Sequence, residues 1–311
     1  MALPDGYSFR TPTAGDAEAI GALFVAERER RPEAPALDAH FIRETWTRAG
    51  FDLATDAWVV TDLTGAVVAY GQVRQEEDDA IGSWGLVRPD RNGLGIGAAL
   101  FDRIESRATE RSAGHPAMRF RHAVTTGDEA AAAMATTRGL RPVHHFWHMQ
   151  VDLAPPVDQG EAPDGIAIGE MGEDGLTAAH AVLADAFADD WADLPGPRDR
   201  WIDEELASPS FDPSLWLVAR DGATPVGLAA GSAGEDGGAV DWFGVVRSHR
   251  GRGIGAALLR RSFARFADRG ITTVMVSVDA DNVTGATGVY ERAGMRVVGR
   301  WDLWERVGGP A

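Results

Sequence analysis

At 311 residues the chain is long enough for two ordinary domains, each able to bury its own core. It has no cysteine, which excludes disulfides, thiolate zinc sites and cysteine nucleophiles. A formal net charge of -17 argues against a nucleic-acid partner; it suits a cationic substrate such as an amine, or it only keeps the protein soluble.

Helical and extended patterns alternate along the first 153 residues. Thr13 or the Gly15-Asp16 pair can cap the first helix. The pattern predicts strands at 7–13, 57–62, 66–74, 80–87, 118–125 and 141–153. It also predicts four helices: one that ends near Arg28, one at 38–49, one that ends near Arg111 and one at 128–137.

A Pro- and acid-rich stretch at 154–164 predicts a linker. The same order of elements then returns. We predict strands at 165–171, 215–220, 225–231, 239–246 and 273–279, helices at 174–187, 198–207 and 254–269, a helix around Tyr290, and a final strand pair within 296–306.

An internal repeat relates the two halves. At an offset of 158 the residues Trp84, Val87, Gly93, Gly95, Ile96, Gly97, Ala98, Ala99 and Leu100 recur as Trp242, Val245, Gly251, Gly253, Ile254, Gly255, Ala256, Ala257 and Leu258. A repeat one domain long predicts two α/β domains, a first copy at 1–153 and a second copy at 165–311.

The stretch 250–255, here called the second glycine loop, lies between a predicted strand and a predicted helix. Its glycines let the backbone turn tightly and let another molecule come close. The free N–H groups and the dipole of the helix favour an anion such as pyrophosphate, and Arg250 and Arg252 add positive charge. A Walker loop is excluded because the chain has no lysine, and the Rossmann spacing is absent.

Two motifs resemble those of the GCN5-related N-acetyltransferase (GNAT) family. Residues 250–255 resemble its R/Q-x-x-G-x-G/A loop, and residues 282–295 resemble its N-x-x-A-x-x-x-Y-E-x-x-G-[FM] helix. The resemblance implies two tandem GNAT-type domains, each a mixed, mostly antiparallel sheet flanked by helices. The two-copy layout also resembles that of tandem members of the family.

The resemblance further implies acetyl-CoA as co-substrate, without a metal. The residues expected to contact it in the second copy are Val245, Val246, Arg247, Arg250, Gly251, Arg252, Gly253, Ile254, Gly255, Ala256 and Asn282. Asn282 is equally well explained as a helix cap.

Tyr290 stands at the family's acid position and is expected to protonate the departing thiolate, although it is also explained as a core aromatic residue. Asp241, the one carboxylate within 239–246, is the candidate base, with Asp279 behind it; a surface position is the alternative for Asp241. Asp190 and Trp191 are expected to bind the acceptor, or they belong to a solvated acidic loop.

The first copy departs from the family pattern. Asn92 replaces Arg250, and with the register shifted to 155 Ala135 stands opposite Tyr290, so the proton donor is lost. Gly93, Gly95 and Gly97 could still hold a pyrophosphate; the alternative is that this copy is only a scaffold.

We therefore expect an enzyme that moves an acetyl group to a primary amine of a small molecule by direct attack in a ternary complex. A non-catalytic acyl-CoA sensor and a protein or peptide acetyltransferase are the alternatives. His144, His145 and His148 do not predict a metal site, because His145 points away from the other two in a strand. With no spanning segment or export signal in the sequence, we expect a cytoplasmic monomer or homodimer without a membrane partner.

Overall fold

The computed structural model describes residues 2–35, 37–48, 50–77, 79–115, 117–172, 175–188, 195–234, 237–280 and 286–307. Within them the helices are α1 (Ala17–Arg30), α2 (Ala39–Thr47), α3 (Leu53–Asp56), α4 (Ile96–Arg111), α5 (Glu129–Thr137), α6 (Gly175–Ala186), α7 (Arg198–Ala207), α8 (Ile254–Asp268) and α9 (Ala286–Arg292).

The strands in the same residues follow the predicted order, with one change at the end of the chain. They are β1 (Ser8–Arg10), β2 (Ala57–Thr61), β3 (Val67–Glu77), β4 (Ala80–Val87), β5 (Arg119–Thr125), β6 (Arg141–Asp152), β7 (Ile166–Glu170), β8 (Trp216–Asp221), β9 (Thr224–Gly234), β10 (Gly237–Val245), β11 (Thr273–Asp279) and β12 (Arg296–Val307).

Two compact units make up the described chain. The first contains the residues up to Trp147, Asp279 with Ala280, and those from Val298 onward; the second contains His148–Val278 and 286–297. Each unit combines segments from both predicted copies, so its bounds differ from those of the copies. The division into copies at 153 and 165 therefore stays a prediction.

In the first unit the sheet runs β1-β2-β3-β4-β5-β12. Its neighbours are antiparallel except for the parallel pair β4 and β5. Helix α4 packs its apolar side on one face, around Leu100 and Phe101, while α1 and α2 cover the other face around Ile20 and Ile42. Helices on both faces bury the two sides of the sheet.

The sheet of the second unit runs β7-β8-β9-β10-β11 and then the second half of β6. Strands β7 to β10 are antiparallel, and β10 is parallel to β11. Both sheets are mixed and mostly antiparallel, as predicted. Helix α8 lies close to β9 because Gly227 leaves room for it: a Cβ there would come within 2.9 Å of the Leu258 side chain.

Each copy contributes its last strand to the other unit. Strand β12 ends the second copy, yet Trp301 pairs with Thr125 and Val307 with Arg119 in the first unit. The second half of β6 ends the first copy and lies beside β11 in the second unit, where the Leu153 N–H donates to the Thr272 carbonyl at 2.7 Å. With the predicted division at 153 and 165, the two copies therefore exchange their terminal strands.

Two local predictions need correction. The final strand pair within 296–306 is wrong: β12 is one continuous strand, because its residues from Trp301 onward find their partner in β5. Helix α3 was not predicted; it is only four residues long, and it is capped by Asp52, whose side chain accepts a hydrogen bond from the Ala54 N–H. No helix in the described residues combines the length and apolar character needed to cross a membrane.

Candidate functional site

The second glycine loop connects β10 to α8 through a left-handed turn. Gly251 has φ of +75° and Gly253 has φ of +84°, a region that glycine enters without a steric cost. A Cβ at Gly251 would meet no atom within 4 Å, and one at Gly253 would meet only Pro163 at 3.7 Å. The loop backbone therefore presents an open surface that a ligand can approach closely.

The start of α8 supplies hydrogen-bond donors to that surface. The first bond inside the helix runs from the Ala257 N–H to the Gly253 carbonyl at 3.1 Å. By helix geometry, the N–H groups of Ile254, Gly255 and Ala256 then lack an acceptor within α8. Together with the helix dipole they form a backbone site suited to pyrophosphate, so the residues present fit acetyl-CoA.

Arg250 holds the loop in place through its side chain. Its Nη2 donates to the Ala186 carbonyl at 2.6 Å, and its Nε donates to the Val245 carbonyl at 3.2 Å. Arg252 lies differently: its Nη1 is 3.4 Å from Asp221 Oδ2, and both side chains are largely exposed. The two predicted cations thus have separate roles, one bonded to backbone and one paired at the surface.

A second connection runs between the same loop region and the last turn of α6. Asp185 Oδ1 accepts a hydrogen bond from the Arg247 N–H at 2.7 Å. The backbone also approaches closely here, since a Cβ on Gly244 would lie 2.8 Å from the Ala186 Cβ. Sequence reasoning identified neither Asp185 nor Ala186, because their only signal is the position of a helix end.

Tyr290 is linked to the glycine loop through one aromatic ring. Its ring centroid lies 5.4 Å from that of Phe243, and Tyr290 is buried in the described structure. A Cβ added at Gly255 would come within 3.2 Å of Phe243 Cζ. A side chain at the last glycine of the loop would therefore crowd Phe243, which lies near both the start of α8 and Tyr290 of α9.

Asp241 lies at a β-bulge. Val240 pairs with Gly231 and Trp242 pairs with Ala230, which leaves Asp241 as the extra residue of β10. Asp241 is exposed. A bulge interrupts the regular alternation of a strand, so Asp241 lies outside the alternating pattern of β10.

An aromatic group covers the other face of β10. Trp242 Nε1 donates to Glu205 Oε1 at 2.7 Å, and the Trp242 ring contacts Phe187 and Trp201 at centroid distances of 6.4 and 6.0 Å. Sequence reasoning missed Glu205, although its spacing of four from Trp201 places both on one face of α7. Asp190, Trp191 and Asn282 lie outside the described residues, so the predictions for these three stay predictions.

Asp279, the second candidate for the base, is buried, whereas Asp241 is exposed. Asp279 is buried in the first unit, with its Oδ2 at 3.2 Å from His144 Nδ1. His145 Nδ1 lies 2.7 Å from Asp302 Oδ1. Over the described ranges, no three His, Asp or Glu side chains are grouped as a metal ion would require.

The glycine loop of the first copy has the same backbone. Gly93 and Gly95 have φ of +78° and +87°, and a Cβ on either would meet nothing within 4 Å. Helix α4 begins with the Ala99 N–H bonded to the Gly95 carbonyl at 3.1 Å, as α8 does at its own start. Buried Ala135 occupies the place of Tyr290, so the first copy retains the loop without the hydroxyl.

In both units a strand of a mixed sheet, β4 or β10, leads through a left-handed glycine turn into a helix N-terminus, and this arrangement is that of the GNAT class of acetyltransferases. The chain belongs to this family. The family described as Acetyltransferase (GNAT) family matches residues 177–295. The chain is an N-acetyltransferase, and members of this family use acetyl-CoA.

Several relatives of this chain are named mycothiol acetyltransferase. A mycothiol acetyltransferase from a Nocardioides species is 30% identical over 215 residues, covering 63% of this chain and 70% of that protein. One from Catenulispora acidiphila is 33% identical over 219 residues, covering 67% of each.

Solved structures agree with this placement. A GCN5-related N-acetyltransferase from Sphaerobacter thermophilus is 31% identical, with a TM-score of 0.84 over 98% of this chain and 97% of that one. A tandem GNAT protein from the clavulanic acid biosynthesis pathway gives a TM-score of 0.69 over 98% and 99% of the chains, and at 19% identity it shows the fold alone.

Proposed function

We propose that the chain transfers an acetyl group from acetyl-CoA, bound at the second glycine loop, to a primary amine of a small molecule. The transfer is direct, within a ternary complex. The observation that carries this proposal is that Phe243 lies close both to Gly255 of the loop and to the Tyr290 ring, so that a pyrophosphate site and a candidate acid share one neighbour.

The backbone of the second glycine loop would hold the pyrophosphate. Its donors are the N–H groups from Gly251 to Ala256, and Arg250 and Arg252 supply the nearby positive charge. Val245, Val246 and Arg247, at the end of β10, would offer backbone groups to the pantetheine arm. Asn282, the first residue of the motif at 282–295, completes the proposed set of acetyl-CoA-binding residues.

Tyr290 would act as general acid. As the amine nitrogen forms its bond to the acetyl carbonyl carbon, the carbon–sulfur bond breaks and the sulfur needs a proton. A tyrosine hydroxyl is protonated at neutral pH and can donate that proton.

Asp241 would act as general base. The acceptor is protonated in water, and its nitrogen must lose a proton before it can attack. The bulge at Asp241 and its exposure support this role, because a carboxylate in contact with solvent would accept the proton through water.

The acceptor would bind on the face of β10 that carries Trp242. The Glu205 carboxylate beside that indole supports a cationic amine, and Asp190 with Trp191 stay proposed acceptor residues from the sequence. The name of the relatives, mycothiol acetyltransferase, supports a small-molecule acceptor related to mycothiol.

The first copy would bind acetyl-CoA without turnover. Gly93, Gly95 and Gly97 reproduce the loop backbone, while Ala135 cannot donate a proton. A scaffold role is the alternative, and affinity measured after a change at Gly95 separates the two.

The test is a CoA-release assay against a panel of aminosugars, amino acids, peptides and mycothiol-related amines. We expect release with at least one small-molecule amine and its acetylated product by mass spectrometry. Calorimetric binding of acetyl-CoA without release on any amine would favour a sensor, and release confined to peptides would favour a peptide acetyltransferase.

A further inference from the structure

We propose that Arg250 is a positioning residue that couples acetyl-CoA binding at the second glycine loop to the last turn of α6. The inference rests on the proposed function, because it concerns the same loop. It assigns the Arg250 guanidinium a task other than direct contact with the phosphates. Asp185 is its partner in that task.

The first step is the end of α6. The last carbonyls of a helix receive no hydrogen bond from an N–H group of the same helix, and they lie at the negative end of the helix dipole. The Arg250 guanidinium donates to one of them, the Ala186 carbonyl, at 2.6 Å. A cation at this position caps α6, and the same side chain is fixed to β10 through the Val245 carbonyl at 3.2 Å.

The second step is that α6 returns the contact. Asp185, its penultimate residue, accepts the Arg247 N–H at 2.7 Å. The approach of Gly244 to Ala186 leaves no space for a side chain between strand and helix. We call these contacts the α6 latch: Arg250 to Ala186, and Arg247 to Asp185.

The first copy provides a natural comparison. At the offset of 158, Asn92 stands for Arg250 and Glu27 for Asp185. Asparagine has neither the charge nor the reach of arginine. Glu27 pairs instead with Arg31, four residues along the chain from it. The latch thus accompanies the copy that carries Tyr290.

The consequence is a connection between two sides of the site. Phe187 directly follows α6, and its ring contacts Trp242 on the proposed acceptor face. Fixing the loop with a bound pyrophosphate would fix the latch and with it the last turn of α6. By linkage, acetyl-CoA and the acceptor would then each raise the affinity for the other.

The test is hydrogen exchange of the α6 amides with and without saturating acetyl-CoA. In the parent protein we expect acetyl-CoA to slow exchange in the last turn of α6 by about fivefold or more. In Arg250→Met this slowing should be lost while calorimetry still shows binding. Arg265→Met, the same change on α8 at an arginine that pairs with Glu170 at 3.1 Å outside the loop, should keep it.

The quantity compared is the change in exchange rate that acetyl-CoA causes. Loss of a purely structural contact would raise the exchange rate equally with and without acetyl-CoA. If Arg250→Met does not bind, Asp185→Ala tests the latch from the helix side and should also lose the slowing. Asp185→Asn keeps an oxygen acceptor for the Arg247 N–H and should restore it. Slowing that persists in Arg250→Met or in Asp185→Ala overturns the inference.

These outcomes separate the inference from the proposed function. Failure of the parent protein to bind acetyl-CoA would remove the function itself. Binding and turnover without any acetyl-CoA-dependent slowing in α6 would remove only the coupling.

Discussion

The Tyr290 ring lies against the Phe243 ring at a centroid distance of 5.4 Å and an interplanar angle of 52°. Phe243 in turn fills the space that a side chain at Gly255 would need. The phenol is thus packed onto the same strand that leads into the glycine loop. Packing of this kind would remain if the hydroxyl were removed.

Tyr290→Phe therefore isolates the proton donor. General acid catalysis contributes about a hundred- to ten-thousand-fold, so kcat should fall by that order. Acetyl-CoA affinity and the melting temperature should change little, since the loss is felt in the transition state. Near-normal kcat at saturating substrates, with chemistry rate-limiting, would remove Tyr290 from the mechanism.

Gly253→Val should disable the second glycine loop. Valine is strongly disfavoured at φ of +84°, so the turn must rearrange and the α8 N–H groups move away from the ligand. We expect acetyl-CoA affinity at this loop to fall by well over a factor of ten in calorimetry. Unchanged binding at both loops would show that the pyrophosphate site is elsewhere.

Gly95→Val makes the matched change in the first copy, where φ is +87°. The backbone damage should be equal, but steady-state turnover should be largely retained because Ala135 cannot serve as acid. The comparison is the ratio of kcat/KM in the two variants. Similar losses in both would mean that the first copy also contributes to turnover.

His122 makes the first unit sensitive to acid. Burial, together with the charge of Arg138, lowers the pKa of His122 to about 3, against 6.5 for a free histidine. Below pH 6.5 the unfolded chain binds a proton that the folded chain does not, so stability falls as pH falls towards 3. The slope approaches about 1.4 kcal/mol per pH unit.

His122→Asn should remove that part of the pH dependence. Asparagine can keep a hydrogen bond to Ser83 Oγ, which lies 2.8 Å from His122 Nδ1. The free energy of unfolding in urea should then lose about 1.5 kcal/mol less between pH 6.5 and pH 5 than in the parent protein. The same change at exposed His115 is the control, and an unaltered slope in His122→Asn would contradict the assignment.

The exchange of terminal strands predicts that neither copy folds well alone. A chain of residues 1–153 lacks β12 and exposes the edge of β5; one of residues 165–311 lacks the second half of β6 and exposes β11. Each fragment should aggregate or unfold without a cooperative transition, whereas the two coexpressed should copurify. A cooperative thermal transition in the isolated 165–311 fragment would be inconsistent with this.

Local patterns predicted most of the elements, because alternation and helical spacing are properties of short stretches. Strand partners are not a local property. The alternation of β12 is the same whether it pairs within its own copy or with β5. The sequence therefore could not reveal the exchange, and a strand pair was predicted instead. Helix α3 depends on distant residues, since Asp56 is held by Arg107 at 2.8 Å and by Arg111 at 2.5 Å.

The site divides in the same way. The glycine loop was found because its residues are consecutive and glycine has few reasons to recur at every second position. Glu205 and Asp185 were missed, since each acquires its meaning only from the Trp242 indole or the Arg247 N–H that the fold brings to it.

The exchanged strands also bear on how such a gene can change. A duplicated domain in which Ala135 replaces the proposed proton donor would by itself be free to be deleted. Here the first copy supplies the second half of β6 to the sheet beside β11, so its deletion would remove a strand from the second unit. Selection on the copy that carries Tyr290 would therefore also preserve the first copy, and the two would be inherited together.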